Sequence, residues 1–199
     1  MTAKKAINTK GISASAKNRI ELLSEDARLD TTGVGGSFVL ESVPEYITTS
    51  TETVNKGNNN SWIVLGRDRP AGRLSGYGGI GDTQCGSVDI VVGRMGSEPL
   101  KVTEDNEKVF VDPNFTLDSA RIYISQKTDI DKNFGLVAGS VGDSKTKSGI
   151  GIKADGVRIV AREGIKLVTR TDKFNSQGGE VKSISGVDII ANNDEVLLE

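Results

Sequence analysis

Short runs in which aliphatic and polar residues alternate recur along the chain, and glycine-rich or polar stretches separate them. Alternation with a period of two is typical of β-strands, because successive side chains of a strand point to opposite faces. The pattern predicts strands at Ser37–Leu40, Trp62–Leu65, Ser87–Val92, Lys108–Val111, Ala120–Ser125 and Gly135–Ala138. Residues 48–61 are rich in Thr, Asn and Gly without an apolar period, which predicts an exposed loop.

An eight-residue unit repeats near the C-terminus. Asp155–Arg162 (DGVRIVAR) is followed at once by Glu163–Arg170 (EGIKLVTR), and all eight positions match in character. The centre of the unit returns at Gly186–Ile190 (GVDII), and a looser relative precedes it at Gly149–Lys153 (GIGIK). Each unit therefore predicts a strand and a turn at the glycine.

Alternation places the side chains of these units on two sides. One side carries Val157, Ile159, Ala161, Ile165, Leu167 and Thr169, and in the last unit Val187 and Ile189. The other side carries Arg158, Lys166 and Asp188, while Val160 and Val168 depart from the pattern.

Two architectures fit the repeats: an ordinary antiparallel hairpin or meander, and a course of a β-helix or β-prism. A unit with two or three inward aliphatic residues does not enclose a core by itself, whereas three parallel copies can each supply one face of a prism. We therefore predict that residues 147–199 form a homotrimer. Its predicted interface residues are Val157, Ile159, Ile165, Leu167, Val187 and Ile189.

Residues 13–29 fit either a helix or strands. Ile20, Leu23 and Ala27 would share one face of a helix. Arg19–Leu23 and Ala27–Asp30 instead repeat the charge–aliphatic rhythm of the C-terminal units. Because that rhythm recurs later in the chain, strands within an extended N-terminal arm are preferred.

Residues 66–86 are dense in glycine and long for a loop in a compact domain, which indicates function or contact with a partner. The candidate docking residues in this loop are Arg67, Asp68, Arg69, Arg73 and Tyr77. Arg67, Asp68 and Arg69 fit either an anion site or, as preferred, a salt bridge that pins the loop.

Composition and charge exclude several classes of catalytic mechanism, metal site and partner. The 199 residues include no histidine, which excludes Ser-His-Asp and Cys-His mechanisms and zinc sites with imidazole ligands. A net charge of −2 gives no basic excess for nucleic acid, and no run of 18 apolar residues predicts a membrane span. The single Cys85 is predicted to be a small buried hydrophobe. We expect no enzyme activity and neither a nucleic-acid nor a membrane partner.

A literal G-x-G-x-x-G is formed by Gly76, Gly78 and Gly81. A dinucleotide site requires a strand directly before this motif and a helix directly after it, and the sequence predicts neither.

Asp129 and Asp131 imitate the start of a calcium loop. The positions that require Gly and Glu are occupied by Phe134 and Ser140, so a polar turn is predicted. We expect neither a metal nor an organic cofactor.

Two segments resemble virion structural proteins of tailed bacteriophages. They are Gly149–Arg170, which is also similar to the trimeric β-helix of contractile-tail puncturing spikes, and the pair Trp62–Pro70 and Ser75–Gly79. The resemblance implies a scaffold in the tail, baseplate, neck or capsid surface, made in the bacterial cytoplasm and located in the virion. Spikes of that type often end in an iron-binding pair of histidines, which this chain lacks, so a membrane-piercing role is not implied.

Three parts are predicted for this all-β chain: an N-terminal arm with short strands (1–47), a glycine-rich, sandwich- or meander-like β domain (48–146) and a β-helix or β-prism segment (147–199). The expected function is that of a virion structural component whose partners are copies of itself and other virion proteins. The alternative is a host-receptor or glycan-binding module at the virion surface. A third hypothesis is a polysaccharide depolymerase that uses a pair of carboxylates.

Overall fold

The computed structural model describes residues 10–15, 17–18, 43–57, 59–68, 85–96, 103–105, 107–169, 172–183 and 186–194. The chain divides into two compact units, Met1–Leu40 and Glu41–Glu199. The described part of the first unit contains a helical turn, in which the Lys17 N–H donates to the Ser13 carbonyl over 3.0 Å. The strands predicted at 19–23, 27–30 and 37–40 lie outside the described residues.

The second unit is built mainly from strands, which confirms the prediction of a β-rich chain. Its elements in chain order are β1 (Glu45–Tyr46), β2 (Thr53–Lys56), β3 (Ser61–Arg67), β4 (Gly86–Val92), β5 (Phe110–Val111), β6 (Ala120–Thr128), α1 (Ile130–Phe134) and β7 (Lys147–Lys153). One antiparallel sheet has the strand order β2-β3-β4-β6-β7, and β1 pairs with β5 in parallel. Within the described ranges, no helix has the length and apolar character needed to cross a bilayer.

Most of the predicted strands in this unit are confirmed, namely those in β3, β4, β5 and β6. The strand predicted at Gly135–Ala138 is wrong, because α1 ends here and Gly135 closes it in the left-handed conformation at φ 64°. The loop predicted at 48–61 is wrong for Thr53–Lys56, which forms β2 and pairs with β3. An edge strand with solvent on most of its surface tolerates polar residues, so it leaves no apolar period.

Two strand pairings involve residues close to the predicted boundaries between the parts. β7 pairs with β6 from Arg121↔Lys153 to Thr128↔Lys147, so residues 147–153 belong to the central sheet. β1 pairs with β5, so Glu45 and Tyr46 belong to the β domain and not to the N-terminal arm.

One face of the five-stranded sheet packs against the rest of the domain. Trp62, Val64 and Val91 form a buried cluster with Tyr46 and Val111. A second buried cluster joins Tyr123 of β6 to Phe115 and Ile130, with the Phe115 and Tyr123 rings edge to face at 5.0 Å. β7 presents Gly149 and Gly151 to α1, because a Cβ at these positions would collide with the side chains of Ile130 and Phe134.

Next to the same covered face, four buried charged side chains form one network of ion pairs. The Arg121 Nε donates to the Asp89 Oδ1 over 2.9 Å, and its Nη2 donates to the Asp118 Oδ2 over 2.6 Å. The Arg94 Nη2 lies 3.4 Å from the Asp89 Oδ2, and the guanidinium carbon lies 4.3 Å from the centre of the Tyr46 ring. Burial lowers the pKa of Arg94, while Asp89 and Asp118 oppose that shift. Two positive and two negative side chains thus balance each other where an unpaired charge would be costly.

Tyr123 also holds the start of the glycine-rich loop. Its O–H donates to the Asp68 carboxylate, and Asp68 is 1% exposed. The Asp68 N–H donates to the Cys85 carbonyl over 2.8 Å, so the two residues that flank 69–84 are joined. Cys85 is buried, as predicted.

The Tyr123 phenol makes stability depend on pH above its ordinary titration range. Burial raises the pKa of Tyr123, and the negative charge of Asp68 raises it further. The folded chain therefore keeps this proton where the unfolded chain loses it, so the stabilisation is complete below about pH 10 and falls as the pH rises further. We expect the free energy of unfolding to begin to fall near pH 10 because of this group, with a slope that steepens toward a limit of about 1.4 kcal/mol per pH unit.

Urea denaturation of the native chain and of Tyr123→Phe between pH 9 and pH 11 measures this slope. The variant is less stable at neutral pH because Asp68 loses its buried donor. Its alkaline slope is expected to be shallower, and parallel slopes for the two chains would contradict the assignment.

Candidate functional site

The buried charges do not form an active site. The side chains of Asp89, Arg94, Asp118 and Arg121 are at most 5% exposed, and each lies in an ion pair with another member of the group. Side chains that solvent does not reach are not available to a substrate. The group instead ties β4 and β6 to the turn that contains Arg94.

The carboxylates of the calcium-like motif are used within the chain. The Asp129 Oδ1 accepts the Thr146 N–H over 2.8 Å, and the Asp131 Oδ2 accepts the Ser144 N–H over 2.6 Å. These bonds fix the loop that joins α1 to β7. Among the described residues, no group of three or more acidic, cysteine or histidine side chains is placed to hold a metal ion.

Residues 154–169, the C-terminal strip, differ from the rest of the second unit. Within the described chain they form neither helix nor strand, and they make no backbone–backbone hydrogen bond to another described residue. Every side chain in the strip is exposed. The predicted strands of the two repeats are therefore not formed within the described part of a single chain.

All six predicted interface residues are exposed. Their exposed fractions are 46% for Val157, 71% for Ile159, 54% for Ile165, 74% for Leu167, 57% for Val187 and 93% for Ile189. Val160 and Val168, which departed from the alternation, are exposed as well. A row of exposed aliphatic residues this long is uncommon on a monomer, and apolar surfaces of this kind are typical of interaction sites.

A turn after the strip returns the chain to β7. The Asn175 Oδ1 accepts the N–H groups of Gln177 and Gly179 at 2.9 and 3.0 Å. The Ser148 N–H of β7 donates to the Ser176 Oγ over 3.0 Å. The strip is thus held at both ends, by β7 before it and by this turn after it.

The last described residues are fastened to the loop that follows α1. The Asp188 Oδ2 accepts the Val141 N–H over 2.8 Å. The Asn193 side chain accepts the Val137 N–H over 2.9 Å and donates to the Gly135 carbonyl over 2.8 Å. A cleft of about 470 Å³ lies between the two segments, and both of its carboxylates, Asp131 and Asp188, already accept backbone N–H groups.

A second apolar surface lies on the sheet, and sequence reasoning missed it. Register places Ile63, Ile90, Ile122 and Ile152 in one row across β3, β4, β6 and β7, and Leu65, Val88, Ile124 and Ile150 in a parallel row. We call these eight residues the outer face, since they point away from the covered side of the sheet. Six of them are 39–67% exposed, and Val88 and Ile90 are partly buried. The alternation in each strand was visible in the sequence, but it did not show which side would be covered.

The predicted docking loop is described only at its ends. Arg67 is the last residue of β3, and Asp68 lies inside the chain as the acceptor of Tyr123, not on a docking surface. Arg69, Arg73 and Tyr77 lie outside the described residues, as do the glycines of the G-x-G-x-x-G motif.

Comparison of the chain with protein-family models, with curated proteins and with solved structures finds no match. The function is therefore inferred from the residues and surfaces of this chain.

Proposed function

We propose that this chain is a structural component of a tailed-bacteriophage virion that self-associates as a trimer through its C-terminal segment. The observation that carries the proposal is the C-terminal strip, whose aliphatic side chains are exposed and which makes no backbone–backbone hydrogen bond to another described residue. The resemblance of Gly149–Arg170 to virion proteins supports a place in the virion. Location in the tail, baseplate, neck or capsid surface is part of the proposal.

The pattern of the strip supports association between copies. A single strip leaves its N–H and C=O groups to water and its aliphatic side chains exposed. Three strips wound together pair those backbone groups, close the exposed edges and bury the aliphatic rows. The return of residues 172–194 to β7 and to the loop after α1 fixes where the strip lies, which reduces the ordering required on assembly.

The competing functions have less support. A glycan-binding module needs exposed aromatic rings, and Phe110 and Phe174 are exposed, but the single tryptophan, Trp62, is 4% exposed within the sheet. A depolymerase needs a pair of accessible carboxylates, and Asp89 and Asp118, which share Arg121, are buried and do not supply that pair.

Sedimentation of the native chain at micromolar concentration tests the self-association. The expected result is a single species with three times the mass of one chain, with no shift toward the monomer on tenfold dilution. A stable monomer would refute the trimer.

Detection of the chain in gradient-purified phage particles by mass spectrometry and immunogold labelling tests the virion setting separately. Particles that lack the chain would refute that setting and leave the trimer standing.

A further inference from the structure

The five-stranded sheet carries apolar residues on both faces, although only one face is covered. The covered side buries Trp62, Val64 and Val91 together with the charged pair Asp89 and Arg121. The open side carries the eight aliphatic residues of the outer face. A half-solvated antiparallel sheet ordinarily places its apolar residues inward and its polar residues outward. The outer face therefore has the composition of a surface that is covered in the working protein.

We infer that the outer face is a second interface between copies of this chain, buried around the same threefold axis as the C-terminal strip. The inference rests on the proposed self-association and adds a surface of the central sheet to it. The geometry of β7 supports it, because Ile150 and Ile152 belong to the outer face and the chain passes from Lys153 directly into the strip. The two apolar surfaces therefore adjoin each other along one strand.

The chemistry of the outer face favours a second copy of this chain as the partner that covers it. None of its eight positions is charged or polar, and the flanking positions in the same rows are Asn55 and Thr53. A charged or strongly polar partner would lose its hydration against such a surface without gaining a hydrogen bond. Another copy of the same face loses nothing of this kind, and around a threefold axis each copy of the face packs against the faces of the other two copies.

The number of residues in the C-terminal strip and the outer face also favours a second copy of this chain as the partner. A stable interface involves roughly 20–30 residues from each partner. The six interface residues of the C-terminal segment fall well short of that number. The outer face spans four strands, which is about 14 Å across at 4.7–4.9 Å per strand, and adding it brings the combined surface closer to the standard size.

Thiol labelling tests the inference on the full chain. With Cys85→Ser as background, one thiol is introduced by Ile124→Cys on the outer face or by Ile47→Cys beside β1. Residues 124 and 47 are 40% and 46% exposed in the single chain, so a monomer presents both thiols to a small reagent about equally. In the trimer, the thiol at position 124 is expected to react with DTNB at least about tenfold more slowly than the thiol at position 47.

The outcomes separate the two proposals. A sample that sediments as a trimer but labels equally at both positions overturns the buried outer face and leaves the self-association intact. A native chain that sediments as a monomer overturns both.

A second measurement does not depend on labelling. Ile122→Asp is expected to raise the dissociation constant of the trimer at least about a hundredfold, while Ile47→Asp leaves it within about threefold. Equal dissociation constants for these two variants would also overturn the inference.

Discussion

Replacing Asp89 with asparagine is expected to lower the free energy of unfolding by about 3–5 kcal/mol. The substitution keeps the size of the side chain and removes its charge. Arg94 and Arg121 then remain buried with Asp118 as their only carboxylate in the group, so one positive charge is left without compensation. Urea denaturation at a fixed chain concentration measures the loss, since association between copies would add to the apparent stability.

The control is an ion pair on the surface of the protein, where water contacts both side chains. The Lys108 Nζ lies 3.8 Å from the Glu45 Oε1, and both side chains are largely exposed at 69% and 46%. Lys108→Gln is expected to change stability by less than about 1 kcal/mol, because water screens such a pair. Similar losses for Asp89→Asn and Lys108→Gln would show that the buried network does not carry the stability assigned to it.

A double-mutant cycle locates the effect. Arg121→Met alone leaves Asp89 and Asp118 short of a donor, whereas Arg121→Met together with Asp89→Asn restores the charge balance with Arg94 and Asp118. The double variant is expected to be more stable than the sum of the single losses predicts, by about 1–3 kcal/mol.

Leu167→Asp is expected to convert the trimer into a monomer at micromolar concentration. Leu167 is 74% exposed in the single chain, so an aspartate there does not disturb the fold. On assembly, the substitution would place three carboxylates in one apolar interior, and each unpaired buried charge costs several kcal/mol. Sedimentation should therefore show one chain mass for the variant where the native chain shows three.

Lys166→Asp is the matched control, because it puts the same aspartate one residue away on the side predicted to face solvent. It should remain trimeric, and unchanged near-ultraviolet circular dichroism should confirm that both variants are folded. If Leu167→Asp sediments as the native chain does, the strip is not the interface. If both variants dissociate, the two sides of the strip are not distinct.

The first of these predictions concerns the buried ion pairs of the single chain, and the second concerns its exposed aliphatic residues. The buried charges favour the observed register of β4 and β6, which pairs Asp89 with Tyr123 and brings the Arg121 Nε within 2.9 Å of the Asp89 Oδ1. Many aliphatic residues, among them those of the outer face and the C-terminal strip, lie on the surface of the single chain. Under the proposed self-association, contact between copies would bury them, and apolar burial is worth about 25 cal/mol per Å².

The sequence by itself determined where most strands of the second unit lie. Alternation in Trp62–Leu65, Ser87–Val92 and Ala120–Ser125 depends only on nearest neighbours along the chain, and these strands are present. It also determined that catalysis through histidine is excluded. The same local pattern predicted the two eight-residue repeats and the side of each repeat that carries the aliphatic residues.

Only the tertiary structure decided which side of each strand is covered. Ile122 and Ile124 alternate with Arg121 and Tyr123, and a strand by itself has no inside. The choice was made by contacts between residues far apart in sequence, such as Asp89 with Arg121 and Asp68 with Tyr123. Such contacts form only when the loops bring distant strands together. Alternation along one strand does not show which strands will meet or which side of the strand they will cover.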